Sequence, residues 1–264
     1  MFVSDLSNSE IIDDDNFAPL VPAEAEPEAG GYGYIARDYE KFPYGSMFDP
    51  FEALNLPLID RSEYDARIEE MEKTKSRLSD MYLARGWQKP NQNGTNFCWM
   101  YACTSAMKLD RAKQNLPWKA YSAESAAAPI NGFRNSGGWS TNGAKWAATK
   151  GVCTEETWPP HSYASRHYTD ANKAVALENL ITSWTELTPR SFKVLMTMLF
   201  HRMPCPIGLN WWRHAICAAD PVKLGNNAYG VRILNSHNDG FAKVLTESRA
   251  TPDDVLCLYN VMSN

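Results

Sequence analysis

The chain has 264 residues, enough for one large domain or two small ones with a sizeable core. Its 44% hydrophobic content, nine tryptophans and twelve tyrosines mark a folded protein, and no run of about eighteen or more apolar residues supports a membrane span. The net charge of −5 hides an asymmetry: residues 1–60 hold thirteen acidic and two basic residues, and the remainder is mildly basic. With no basic run in that remainder, nucleic-acid binding is not expected.

Taken in order, residues 1–31 are acidic and rich in Pro, Ala and Gly, with Asp13-Asp14-Asp15 near the start. Such a segment buries too little apolar surface to offset its ordering entropy, so in isolation it is expected to be disordered. Its first ten residues lack the basic start and apolar core of a secretory signal, which points to a cytoplasmic or virion protein. Residues 32–60 carry Tyr32, Tyr34, Tyr39, Phe42, Tyr44, Phe48 and Phe51 among turn formers. Together, residues 1–60 read as an acidic arm with little regular structure, expected to dock on its own body or on a neighbouring subunit. A helix is predicted over residues 62–84, capped by Ser62, with Tyr64, Ile68, Met71, Leu78 and Tyr82 as its apolar stripe.

Turn formers (Asn93, Gly94, Thr95, Asn96) then lead into a helical pattern that begins at Cys98 and continues through Trp99, Ala102, Ala106 and Leu109. A cysteine in the first turn of a helix meets unpaired N–H groups and the positive end of the dipole, both of which favour thiolate. A thiolate is the nucleophile of acyl-transfer chemistry. A helical piece follows Ser122, another covers residues 141–150 with Gly151 after it, and residues 161–190 read as a polar connection with some helix over 172–180. An apolar helix over 191–203 precedes strands at 207–211, 214–219, 230–234, 241–244 and 255–261. Helices first and strands second describe an α+β protein. The six cysteines include no CxxC pair, so a structural zinc site is not expected, and they read as free thiols.

The stretch Gln92 to Ala102 resembles the active-site motif of papain-like cysteine peptidases: a glutamine, five residues, then Cys-Trp at a helix start. Further runs extend the resemblance. Arg85-Gly86-Trp87-Gln88 is loosely similar to the start of the mature domain. Asn131 to Trp139, with Gly137-Gly138, resembles the glycine segment that pairs with extended peptide. Gly151 to Pro159 resembles the run that closes the helical lobe. Of the five histidines, His161 and His167 fall in the polar connection, His201 at a helix end and His237 in a turn. His214 heads His-Ala-Ile, similar to the family's His-Ala-Val strand, and Asn235-Ser236 stands where the family has Asn-Ser-Trp-Gly.

The resemblance implies a two-lobed papain-like fold, with a helical lobe over 85–160 carrying the cysteine and a mainly β lobe over 161–264 carrying histidine and asparagine. It implies Cys98 as nucleophile, His214 as base, Asn235 as its orienting residue and Gln92 in the oxyanion hole. Gly137, Gly138, Trp99 and Trp139 are the implied substrate-binding residues, with a peptide or protein substrate and no cofactor or metal. Residues 1–84 take the place of a propeptide, without that family's helical signature.

Four departures accompany the resemblance. The disulfide positions are Thr95 and Asn135, the Trp of Asn-Ser-Trp-Gly is His237, the second Trp-Gly loop is cut to Asp239-Gly240, and the connection before His214 is short. They leave open a second reading, a catalytically degenerate papain-fold protein acting within a larger assembly.

Overall fold

The computed structural model describes residues 4–22, 32–42 and 56–261. The expectations for Tyr44, Phe48 and Phe51 lie outside the described residues. One seven-stranded sheet runs β1-β6-β5-β4-β3-β7-β2, where β1 is Glu10–Ile12, β2 Ile181–Glu186, β3 Cys205–Leu209, β4 His214–Gly225, β5 Ala228–Leu234, β6 Lys243–Thr246 and β7 Asp254–Val261. Neighbouring strands are antiparallel except β1, which lies parallel to β6 with Glu10 opposite Lys243.

Helices α1 (Tyr64–Lys73), α2 (Leu78–Leu83), α3 (Cys98–Lys113), α4 (Glu124–Ile130), α5 (Ser140–Thr149), α6 (Asp170–Leu177), α7 (Phe192–Phe200) and the short α8 (Glu247–Ala250) complete the chain. Every residue of α3 up to Ala112 is buried, so this helix is enclosed all round rather than amphipathic. One core gathers α3 with Trp87, Tyr121, Ala144 and Trp184; a second gathers α1, α7 and the sheet around Phe192, Ile207, Trp212 and Ile233.

Two expectations need correction. The helix over 62–84 is two helices, because Lys75 takes a positive φ of 53° and breaks the turn. Its two halves serve different cores, Ile68 and Met71 joining the second and Leu78 and Tyr82 the first. The polar connection contains β2, which pairs with β7 far along the chain. Residues 4–22 are docked: Ser4 N donates to Lys223 O at 3.1 Å, β1 extends the sheet, and Ile12 is fully buried. Acidic arm and basic body meet as Glu10 with Lys243 and Asp14 with Arg249. Because Ile12 seats β1 in the second core, Ile12→Ala should cost about 2–5 kcal/mol in urea unfolding.

Candidate active site

The sequence builds the site at the ends of three elements. Cys98 is the first residue of α3, and Phe97 before it provides no side-chain cap. His214 opens β4 after a tight turn from β3, with Leu209 its partner across the ladder. Asn235 directly follows β5. The ladder sets Cys217 opposite Leu234, and continuing that register brings the segment after β5 alongside His214.

His214 Nε2 and Asn235 Oδ1 lie 2.8 Å apart, and both residues are fully buried. Asn235 Nδ2 donates to Asp239 Oδ2 at 2.9 Å, and that oxygen also accepts from Lys243 Nζ at 2.8 Å. Asn235 is thereby held at both ends of its amide. Two rings pack on His214. His237 stacks on His214 with centroids 4.3 Å apart and an interplanar angle of 25°, and the fully buried Trp212 meets the same ring edge-on at 4.9 Å. Gln92 Nε2 donates to Thr95 O at 2.7 Å, and Gln92 Oε1 accepts from Ser236 Oγ at 2.5 Å. Gln92 N also donates to Ser236 O at 2.8 Å, so the glutamine loop is tied to the Asn-Ser-His segment.

The glycine segment is shaped by contact on both sides. A Cβ on Gly138 would fall 2.6 Å from the Trp99 ring, and one on Gly137 would fall 2.5 Å from Gly33 O. Trp99 has no exposed surface, and its ring lies against Gly138. Trp139 packs on Phe42 at 4.6 Å. At the former disulfide positions, Asn96 N donates to Asn135 Oδ1 at 2.6 Å and Asn135 Nδ2 donates to Gly94 O at 3.2 Å. Hydrogen bonds to the two neighbours of Thr95 thus join the segments that a disulfide would join.

Residues 32–42 run through this arrangement. Gly33 N donates to Cys98 Sγ at 3.2 Å, Gly138 N donates to Gly33 O at 2.9 Å, and Ile35 N donates to Gly138 O at 3.4 Å, forming a parallel bridge at Tyr34. The Tyr34 ring covers Gly208, whose added Cβ would stand 2.3 Å from it. Sequence reasoning missed Gly33 and Asp239. Gly33 stands between Tyr32 and Tyr34, and its lack of a Cβ lets it lie against the Asn96 backbone.

Burial governs the electrostatics. It pushes the Cys98 thiol up to about 11, against the N–H groups of Ala215, Gly33, Trp99 and Tyr34 that pull it down. Burial, then the neighbouring His237, hold His214 well below the usual imidazole value, while its bond to Asn235 works the other way. Both shifts work against the thiolate expected at the helix start. His214 Nδ1 is buried with no hydrogen-bond partner among the described residues.

A folded imidazole pKa below the unfolded one means that the unfolded chain binds the proton first as pH falls. The stability attached to neutral His214 is complete above pH about 6.5 and is lost below it, at up to about 1.4 kcal/mol per pH unit. Urea unfolding of wild type and His214→Gln between pH 7 and 5 should show the steeper acid loss in wild type; parallel curves would remove this account of the ring.

No family model matches the chain, and no curated protein matches it in sequence. Solved structures do match. Xylellain, a cysteine protease from Xylella fastidiosa, superimposes with a TM-score of 0.60 at 17% identity, over 91% of this chain and 100% of that one. Digestive procathepsin L2 proteinase from Tenebrio molitor larval midgut gives 0.61 at 16% identity, over 90% and 80%. Recombinant stem bromelain precursor gives 0.58 at 15%, over 88% and 78%. The fold of this chain is papain-like, an α+β architecture shared with these proteins.

Proposed function

We propose that this chain is a cysteine peptidase acting on peptides or proteins, held latent by residues 32–42. The observation that carries the reading is the His214–Asn235 pair at 2.8 Å, built at the start of β4 in a papain-like fold whose α3 begins with Cys98. A purely structural role asks for neither the pair nor its anchoring through Asp239 and Lys243.

In this reading, departure of the arm admits water and substrate, and the thiol proton moves to His214 Nδ1. The thiolate attacks a peptide carbonyl carbon, and the oxyanion meets the Cys98 N–H and the Gln92 amide, which turns from Thr95 O toward it. His214 gives its proton to the departing amine, and water hydrolyses the thioester. Asn235 accepts from Nε2–H and so leaves Nδ1 without a proton, free to act as the base.

The test is digestion of an unfolded protein by full-length Gly33→Leu, with products read by mass spectrometry beside Gly33→Leu/Cys98→Ala. New peptide termini that depend on Cys98 support the peptidase. One observation favours a second reading, a degenerate papain-fold binding protein: the Gly33 N–H of the arm occupies Cys98 Sγ, and Cys98 and His214 are both fully buried. A folded Gly33→Leu protein that cleaves nothing would select that reading.

A further inference from the structure

Four residues beyond Gly33, the arm places Arg37 in a buried pocket. Its guanidinium bonds to both carboxylate oxygens of Glu186, to Oε2 at 3.3 Å and more closely to Oε1, and to Thr141 Oγ1 at 3.0 Å. The Arg37 side chain is 4% exposed and that of Glu186 0%. The guanidinium carbon also stands 5.9 Å from the ring centre of Trp139, the residue after Gly138.

A second carboxylate faces the same place. Asp254 is 2% exposed, accepts from Tyr39 Oη at 2.8 Å, and is close enough to feel both Glu186 and Arg37. Glu186 ends β2 and Asp254 begins β7, its neighbour in the sheet, so the sheet itself brings the two together. The other cation nearby, Arg190, is exposed at the rim, where it donates to Asp253 O at 2.7 Å and covers the Tyr39 ring.

Two buried carboxylates at the base of one pocket are costly without a cation. Thr141, Trp139, Glu186 and Asp254 all lie outside the arm, and Trp139 directly follows Gly138 of the glycine segment. Four extended residues span about 13 Å, within reach of a peptide held at Cys98.

We infer that Glu186 and Asp254 form an acidic subsite of the cleft, and that the substrates of this chain are peptides carrying an arginine side chain at the position that fills it. The planar guanidinium matches Glu186 in the way Arg37 does, and a lysine ammonium matches it less well. The inference rests on the peptidase reading and adds its selectivity.

The test uses full-length Gly33→Leu/Arg37→Ala, whose own arm no longer fills the pocket, with a fluorogenic peptide library varied one position at a time. At one position arginine should exceed leucine at least about tenfold in kcat/KM, and Glu186→Gln should reduce that preference to within about threefold. Should Glu186→Gln fail to fold, Asp254→Asn serves in its place and should weaken the same preference. Hydrolysis without an arginine preference at any position, or with one indifferent to both substitutions, overturns the inference. If nothing is hydrolysed, the peptidase reading fails, and fluorescence anisotropy of the same peptides on the Cys98→Ala form decides the subsite. Binding at least about tenfold tighter for arginine than for leucine keeps the subsite, and equal binding removes it.

Discussion

Gly33→Leu in the full-length chain should raise peptide hydrolysis at least about a hundredfold over wild type. The effect follows from one contact. A Cβ on Gly33 would lie 1.8 Å from Asn96 O and 2.3 Å from Asn96 C, and both are backbone atoms that cannot rotate away. Asn96 is itself fixed, since its N–H donates to Asn135 Oδ1. The arm must therefore lift, and it loses its bonds to Cys98 Sγ and Gly138 N in doing so. If the closed form leaves only about 1% of molecules open, release restores the full activity, a gain of about a hundredfold. Adding Arg37→Ala removes the second hold and leaves Glu186 buried without its guanidinium, which weakens docking by about 3–5 kcal/mol. Initial rates on a quenched protein substrate measure the gain. A folded variant with the wild-type rate would show that the arm does not limit access.

In that released background, His214→Ala should lower kcat/KM by about 10³–10⁴, and Cys98→Ala should remove turnover. Asn235→Ala should cost less, about 10–100-fold, because both ring nitrogens remain and only the orientation of the ring is lost. The loss should fall on kcat with KM little changed, since none of these groups binds distant parts of a substrate. Asp239→Asn belongs with Asn235: it keeps the size of the side chain but weakens the hold on Asn235 Nδ2 and on Lys243. An Asn235→Ala variant at full rate would show that His237 and Trp212 orient His214 unaided.

The helices of the first half were legible because their starts carry chemical signals. The turn formers before Cys98, Ser122 before α4 and Gly151 after α5 mark elements that the structure places within a residue or two. The order of Cys98, His214 and Asn235 was legible through resemblance, and His214 and Asn235 do meet.

What could not be read rests on partners distant in sequence. β1 is three residues long and exists as a strand because β6, over 230 residues later, pairs with it. β2 likewise owes its form to β7. The break at Lys75 carries no glycine or proline. The replacement of tryptophan by His237 was visible in the sequence, but its stacking on His214 was not, since a ring pair depends on side-chain packing across the end of β4 and β5. Nothing in the sequence joined Arg37 to Glu186, 149 positions away. The burial of Cys98 was hidden for the same reason: a helix start argues for thiolate, and the Gly33 N–H that meets the sulfur comes from 65 residues upstream.

The central claim is a working Cys98–His214 pair beneath a removable arm. Intact-mass labelling with a peptidyl epoxide at pH about 6 tests it most directly, because an ordinary thiol with a pKa of about 8.5 is almost wholly protonated there. Wild type should label slowly, and Gly33→Leu should take up one adduct rapidly. Gly33→Leu/Cys98→Ala and Gly33→Leu/His214→Ala should take up none. A folded Gly33→Leu protein that stays unlabelled, or one that labels equally without His214, would contradict the account.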